Sequence, residues 1–349
     1  MTRSLRVLVA ALSIGAAACG GGSSSSGFIG SLKITTVGST VDPQNGDANP
    51  YGLAIAPITS GKITAGDLLI CNFNDSAGVE GNGTTIEVLH PAAGSTPTQF
   101  VQDPNLQGCA ALAVDAQDNP WAAAYTSNLA PFYTSAGVLT ASLSAGPWDG
   151  PWGEAFVTPT GAASFFVTSN ATNGSLVNVD IAGDTFVTTV TGFSINAGAV
   201  PGTIFGLSGL TYNAATDTLY VVDSNLNRVV AFANYSKLGA NAITVAADGS
   251  FSGPSASSAK VLYSGEPLES PISAALLYNG DLVVGNTGGM TGQNVLVEIS
   301  AAGKVEATQN LDTGATGALF GIVTTGSTAA TTKIYFNDDN DNTVKVASQ

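Results

Sequence analysis

The sequence predicts an all-β protein, a six-bladed β-propeller whose last blade is closed by a strand from the N-terminal side. Three observations lead there. Only 10% of the 349 residues are charged while glycines number 42, a balance that suits short strands and tight turns rather than amphipathic helices. A strand–turn–strand unit recurs six times at spacings of about 40 to 60 residues, the range of propeller blades with long loops. The sixth unit ends after three strands, and an unpaired strand ahead of the first unit is available to complete it.

In chain order, residues 1–18 read as a signal peptide. Arg3 and Arg6 form a basic start, Leu5 to Ile14 an apolar run too short to span a bilayer, and Gly15-Ala16-Ala17-Ala18 a small-residue cleavage region. With Cys19 next, the segment resembles a bacterial lipobox, which implies lipidation of Cys19. Ala16 departs from the large residue usual there, which leaves plain secretory cleavage as the alternative. Residues 19–29, rich in Gly and Ser, read as a flexible tether, and residues 30–349 as one propeller domain. These readings place the protein outside the cytoplasm, anchored in the bacterial cell envelope.

The clearest repeat begins at Gly209-Leu210-Thr211-Tyr212, turns over residues 213–217, continues through Thr218 to Asp223, and ends in an Asn227-Arg228-Val229-Val230 strand. This unit resembles the NHL repeat. Weaker copies start at Tyr51, Ala111, Gly153, Ala274 and Gly321. Lys33 to Val37 is the orphan strand expected to pair with Thr343 to Val346, hiding two edges that would otherwise template aggregation. A β-sandwich or β-solenoid is the competing architecture. Two three-repeat domains would leave both edges bare.

Charge limits the partners. The chain carries 25 acids against ten bases, and loss of Arg3 and Arg6 with the signal peptide leaves eight, a net charge of −17. Such a surface repels phosphate polyanions, so no nucleic-acid partner is expected.

Few residues offer chemistry. His90 is the sole histidine, which removes multi-histidine metal sites and most triads unless it serves. NHL-type lyases that cleave peptidyl-hydroxyglycine use several zinc-binding histidines, so that activity is not expected. Cys71 and Cys109 stand in adjacent repeats, where an oxidising compartment permits a disulfide; two separate buried thiols are the alternative. Asn72, Asp223, Asn286 and Asp338 share one register at the end of the second strand and could ring a cation or polar ligand, or else cap the turns that follow them. The Asn337-to-Asn342 run lacks the glycine and terminal glutamate of an EF-hand loop and reads as a solvated acidic turn. Glu154 breaks a register otherwise filled by Leu53, Leu112, Leu210, Ala275 and Ile322, an ionisable residue where the pattern demands an apolar one. In position it is similar to the inner-strand glutamate of calcium-dependent lactonases of the gluconolactonase and senescence-marker type, a resemblance that implies Ca2+ as a possible cofactor. Trp148 and Trp152 could stack on sugar or protein surfaces, or pack between blades.

The leading expectation is a membrane-tethered binding scaffold for a protein or glycan, motivated by long loops at 92–108 and 241–268, with no catalytic residue assigned. The alternative is a divalent-metal-dependent hydrolase with Glu154 as ligand and Asp223 as ligand or base.

Overall fold

The computed structural model describes residues 27–180, 182, 184–196 and 206–349; the signal segment and Cys19 lie outside them. Strand β1 (Lys33–Ser39) precedes six blades. Blade 1 holds β2 (Ala48–Ile55), β3 (Leu68–Asn74), β4 (Thr85–Leu89) and β5 (Thr98–Gln102), and blade 2 holds β6 (Cys109–Val114), β7 (Pro120–Ala124), β8 (Phe132–Tyr133) and β9 (Leu139–Ala141). Blade 3 comprises β10 (Pro151–Val157), β11 (Phe165–Asn170), β12 (Ser175–Asp180) and β13 (Phe186–Thr191). Blade 4 comprises β14 (Leu207–Asn213), β15 (Thr218–Asp223) and β16 (Arg228–Ala233), then departs through β17 (Ile243–Val245) and β18 (Phe251–Ser252) before returning as β19 (Ala259–Ser264). Blade 5 is β20 (Pro271–Leu276), β21 (Leu282–Asn286), β22 (Asn294–Ile299) and β23 (Val305–Asp312); blade 6 is β24 (Ile322–Thr325), β25 (Lys333–Asp338) and β26 (Thr343–Ser348).

The closing strand is where the repeats place it. β1 runs antiparallel to β26, from Lys33 opposite Ser348 to Ser39 opposite Thr343, and becomes the fourth strand of blade 6. The tether is shorter than expected. Phe28 and Ile29 belong to the body: Ile29 is buried, its N–H donates to Glu298 Oε2 at 3.0 Å, and Phe28 meets Tyr278 edge to face. An aromatic and a β-branched residue end the Gly/Ser run because they have a core to enter.

The two long loops are partly strand. Residues 92–108 contain β5, and 241–268 contain β17, β18 and β19. β17 pairs in parallel with β13, so an insertion from blade 4 widens blade 3 to six strands. Apart from strands, the described elements are five short 3-10 helices, none long and apolar enough to cross a membrane.

Burial on both faces of the inner strands explains their continuous apolar runs. On β15, Leu219 and Val221 pack towards blade 3, whereas Tyr220 and Val222 pack towards blade 5. The core is thus a series of seams between neighbouring blades. Small residues let adjacent inner strands approach: a Cβ on Gly52 would sit 2.8 Å from the backbone of Ala111, and one on Gly209 would sit 2.6 Å from the Ile272 carbonyl. Polar side chains then stitch the seams, with Ser273 Oγ donating to the Leu319 carbonyl at 2.9 Å and Asn337 Nδ2 to the Tyr51 carbonyl at 3.0 Å. Cys71 and Cys109 form a disulfide between blades 1 and 2, with Cα atoms 5.5 Å apart.

Candidate functional site

The six inner strands begin with one three-layer pattern, visible in Tyr51-Gly52-Leu53, Trp152-Gly153-Glu154 and Phe320-Gly321-Ile322. The first layer crowds one end of the axial channel with aromatic rings. Tyr51 stacks on Phe73 at 4.2 Å and on Phe320 at 3.7 Å, and Trp152 meets Tyr51 edge-on at 5.9 Å. Trp152 and Trp148 are both buried. Neither tryptophan is presented for stacking on a partner.

The third layer lines mid-channel with Leu53, Leu112, Glu154, Leu210, Ala274 and Ile322. The register in blade 5 differs by one residue from the sequence reading: Ala274, opposite Val284, is the counterpart of Leu210 opposite Val221, and Ala275 is not. Between the first and third layers lies a cavity of about 70 Å³. On the far side the channel widens into a bowl of about 380 Å³ walled by residues such as Ile55, Tyr212, Leu276 and Val323. Glu154 lines both spaces.

Glu154 is only 8% exposed, and neither carboxyl oxygen has a hydrogen-bond partner among the described residues. Burial drives its carboxyl well above the usual range, and the nearby Ala113 backbone N–H opposes this only weakly. Burial therefore favours the protonated, neutral form of the group. With no acceptor or donor committed, it is free to meet an incoming ligand.

The ring of second-strand residues does not join it. Asn72 donates to the Thr40 carbonyl at 3.0 Å, and Asn286 donates to the Pro267 carbonyl at 2.8 Å while accepting from Glu269 N–H at 3.1 Å. Each amide fixes the loop entering its own blade. Asp223 accepts from Arg228 Nε at 2.8 Å and from Leu226 N–H at 3.2 Å, and Asp338 accepts from Lys345 and from Asn340 N–H. Burial raises both carboxyls, with the paired cation opposing in each case. Asn170, missed in the sequence, shares the register of this ring, and it fixes its loop by donating to the Pro147 carbonyl at 2.9 Å. Among the described residues, no three or more of His, Cys, Asp and Glu stand together as a metal-holding group. The residues present do not fit a metal ion in the channel.

The remaining candidates have local roles. His90 is exposed and pairs with Asp67 at 2.9 Å. The acidic turn at 337–342 is gathered by Lys345, which pairs with Asp338 and with Asp341 at 3.0 Å.

No family model matches this chain, and no curated protein matches it. Solved structures do. A virginiamycin B lyase from Staphylococcus aureus superposes with a TM-score of 0.54 at 13% identity, covering 91% of this chain and 100% of the other. A gluconolactonase from Xanthomonas campestris gives 0.59 at 10% identity over 92% and 90%, and the calcium-binding protein regucalcin from Agrobacterium tumefaciens gives 0.57 at 15% over 89% and 93%. At such identities the likeness establishes the fold, and the chain is a six-bladed β-propeller.

Proposed function

We propose that this chain is a binding propeller of the cell envelope, held at a membrane by lipid on Cys19, whose axial channel receives an ammonium group on an aliphatic stem. The observation that carries the reading is Glu154: one unpartnered carboxyl at the floor of a bowl walled by aliphatic side chains together with Thr211, Tyr212 and Thr324. Aliphatic walls with a few placed polar groups hold a ligand and fix its orientation. An approaching ammonium would favour the ionised carboxylate, so that Glu154 releases its proton to solvent and a desolvated ion pair remains, and the chain's negative charge favours cations. A free alkylamine and a lysine side chain of a partner protein share this chemistry. Trp148 and Trp152 are buried, so the features that support this reading lie in the channel.

The metal-dependent hydrolase is the reading suggested by the lactonase and lyase neighbours. Its expected ligand Asp223 is committed to Arg228, and no second acid faces Glu154.

Calorimetric titration of the full chain with butylammonium, hexylammonium and a lysine-containing peptide tests the proposal. Binding that weakens at least tenfold in Glu154→Gln supports it. Equal affinity in wild type and variant, or no heat with any of the three, would overturn it.

A further inference from the structure

The seam between blade 6 and blade 1 holds buried acids that no cation pairs, remote from the axis. After β1 the chain crosses onto the face of blade 1 that presents Ile70, Asn72, Thr85 and Glu87 as cross-strand neighbours. Asp42, Asp47 and Glu87 are all buried here, at 2%, 4% and 0% exposure. The ion pairs among the described residues use other acids, so no lysine, arginine or histidine neutralises these three. Asp42 accepts from the Gln44 and Asn45 N–H groups, both at 2.6 Å, and Asp47 from Thr84 N–H at 2.7 Å, so backbone donors compensate these two, whereas Glu87 has no such donor.

Independent of the acids, neutral oxygens in the same seam lack donors. Thr40 Oγ1 and Asn72 Oδ1 belong to fully buried residues and have no hydrogen-bond partner, as is true of both Glu87 carboxyl oxygens. The Asn72 amide is oriented: its Nδ2 donates to the Thr40 carbonyl at 3.0 Å and to Thr85 Oγ1 at 3.2 Å, so the oxygen is the end left over. Asp42 and Glu87 are in side-chain contact, and Gln99 Nε2 donates to Asp42 Oδ2 at 2.7 Å, which holds that carboxylate against blade 1. The two acids, in contact with each other, and the unpartnered amide oxygen and hydroxyl of the same seam offer hard oxygen donors and no nitrogen or sulfur.

We propose that a calcium-like divalent cation binds in this seam, held by Asp42 and Glu87 with Asn72 Oδ1 and Thr40 Oγ1, and fastens the closing strand to the first blade. Calcium suits the site better than magnesium, because it accepts irregular arrangements of six to eight oxygens and water completes the shell. The ion would act as a clasp, joining the segment that ends the ring to the blade that begins it. Since it binds the folded ring and not the open chain, it stabilises by mass action.

The test strips the full chain with chelator and then titrates Ca2+ or Mg2+, reading heat and melting temperature together. One calcium per chain, a melting temperature several degrees higher, and a weaker response to magnesium are expected. Glu87→Gln, which keeps the volume of the neutral acid, should fold and bind calcium at least tenfold more weakly; Asp42→Asn serves if Glu87→Gln does not fold. Glu154→Gln should keep the full calcium response. No heat and no thermal shift in the wild type would overturn the proposal, and so would a response lost in Glu154→Gln but kept in the seam variants.

Discussion

Replacing Glu154 by leucine should stabilise the protein, by an amount that depends on pH. Leucine is the residue at this layer in blades 1, 2 and 4, so the variant restores the repeat pattern and removes the unpartnered acid. Because burial raises the folded pKa from the ordinary value of 4.5, the folded state holds a proton that the unfolded chain releases above pH 4.5. Stability therefore falls as pH rises from 4.5 towards the folded pKa. One bound proton corresponds to about 1.36 kcal/mol per pH unit. That pH-dependent loss is present in the wild type and absent in the variant. An unsatisfied buried polar group costs about 1–3 kcal/mol besides, at any pH. Urea denaturation should thus show Glu154→Leu more stable by roughly 1–3 kcal/mol at pH 4.5 and by a wider margin at pH 7, with amine binding lost. A variant less stable than wild type, or a gap that does not widen with pH, would refute the reasoning.

Three further outcomes are expected. A chain beginning at Asp42 should aggregate or melt many degrees below one beginning at Phe28, because it loses the β1–β26 ladder and the burial of Ile29, Leu32 and Val37; equal melting by circular dichroism would show that β1 is dispensable. Burial and the neighbouring Asp338 push the Asp339 carboxyl up to about 7, so its contribution to stability declines between pH 4 and pH 7, and Asp339→Asn should flatten that part of the melting profile against pH. Replacing Cys71 and Cys109 by alanine opens a loop spanning a sequence separation of 38, for which chain entropy gives a loss of roughly 4 kcal/mol; an unchanged denaturation midpoint would contradict it.

The blades were legible because each inner strand repeats a bulky–small–apolar step whose middle residue is constrained by the neighbouring strand, as at Gly52 and Gly209. Blade 5 slipped by one residue because Ala274-Ala275-Leu276-Leu277 has no polar alternation to set its phase, and Ser273 stands in for the usual glycine. Asn170 was overlooked because the apolar signal of β11 fades at Thr168 while the strand continues to Asn170. β5 and β17 were hidden for a related reason: Thr98-Gln99-Phe100-Val101-Gln102 and Ile243-Thr244-Val245 are short or polar, and their strand character comes from edge pairing rather than from propensity. Glu154 stood out as a break in pattern. The equal register of Asn72, Asp223, Asn286 and Asp338 was also correct, yet register gives height along a blade and not the direction of a side chain. The seam site escaped notice because it joins Thr40 and Asp42 to residues of blade 1, and no sequence periodicity links them.

The pairing of Lys33 with Ser348 also governs when the molecule can become whole. Ribosomes and translocation pores deliver a chain from its N-terminus, so β1 is delivered early and must wait for almost the entire remaining chain before its partner exists. Five blades can assemble from local hairpins in the meantime, but the last remains a three-stranded remnant without its outer edge. Contacts of such long range are slow to form and leave adhesive edges uncovered while they do. The chain therefore cannot lock into its final ring before its last strand has been delivered.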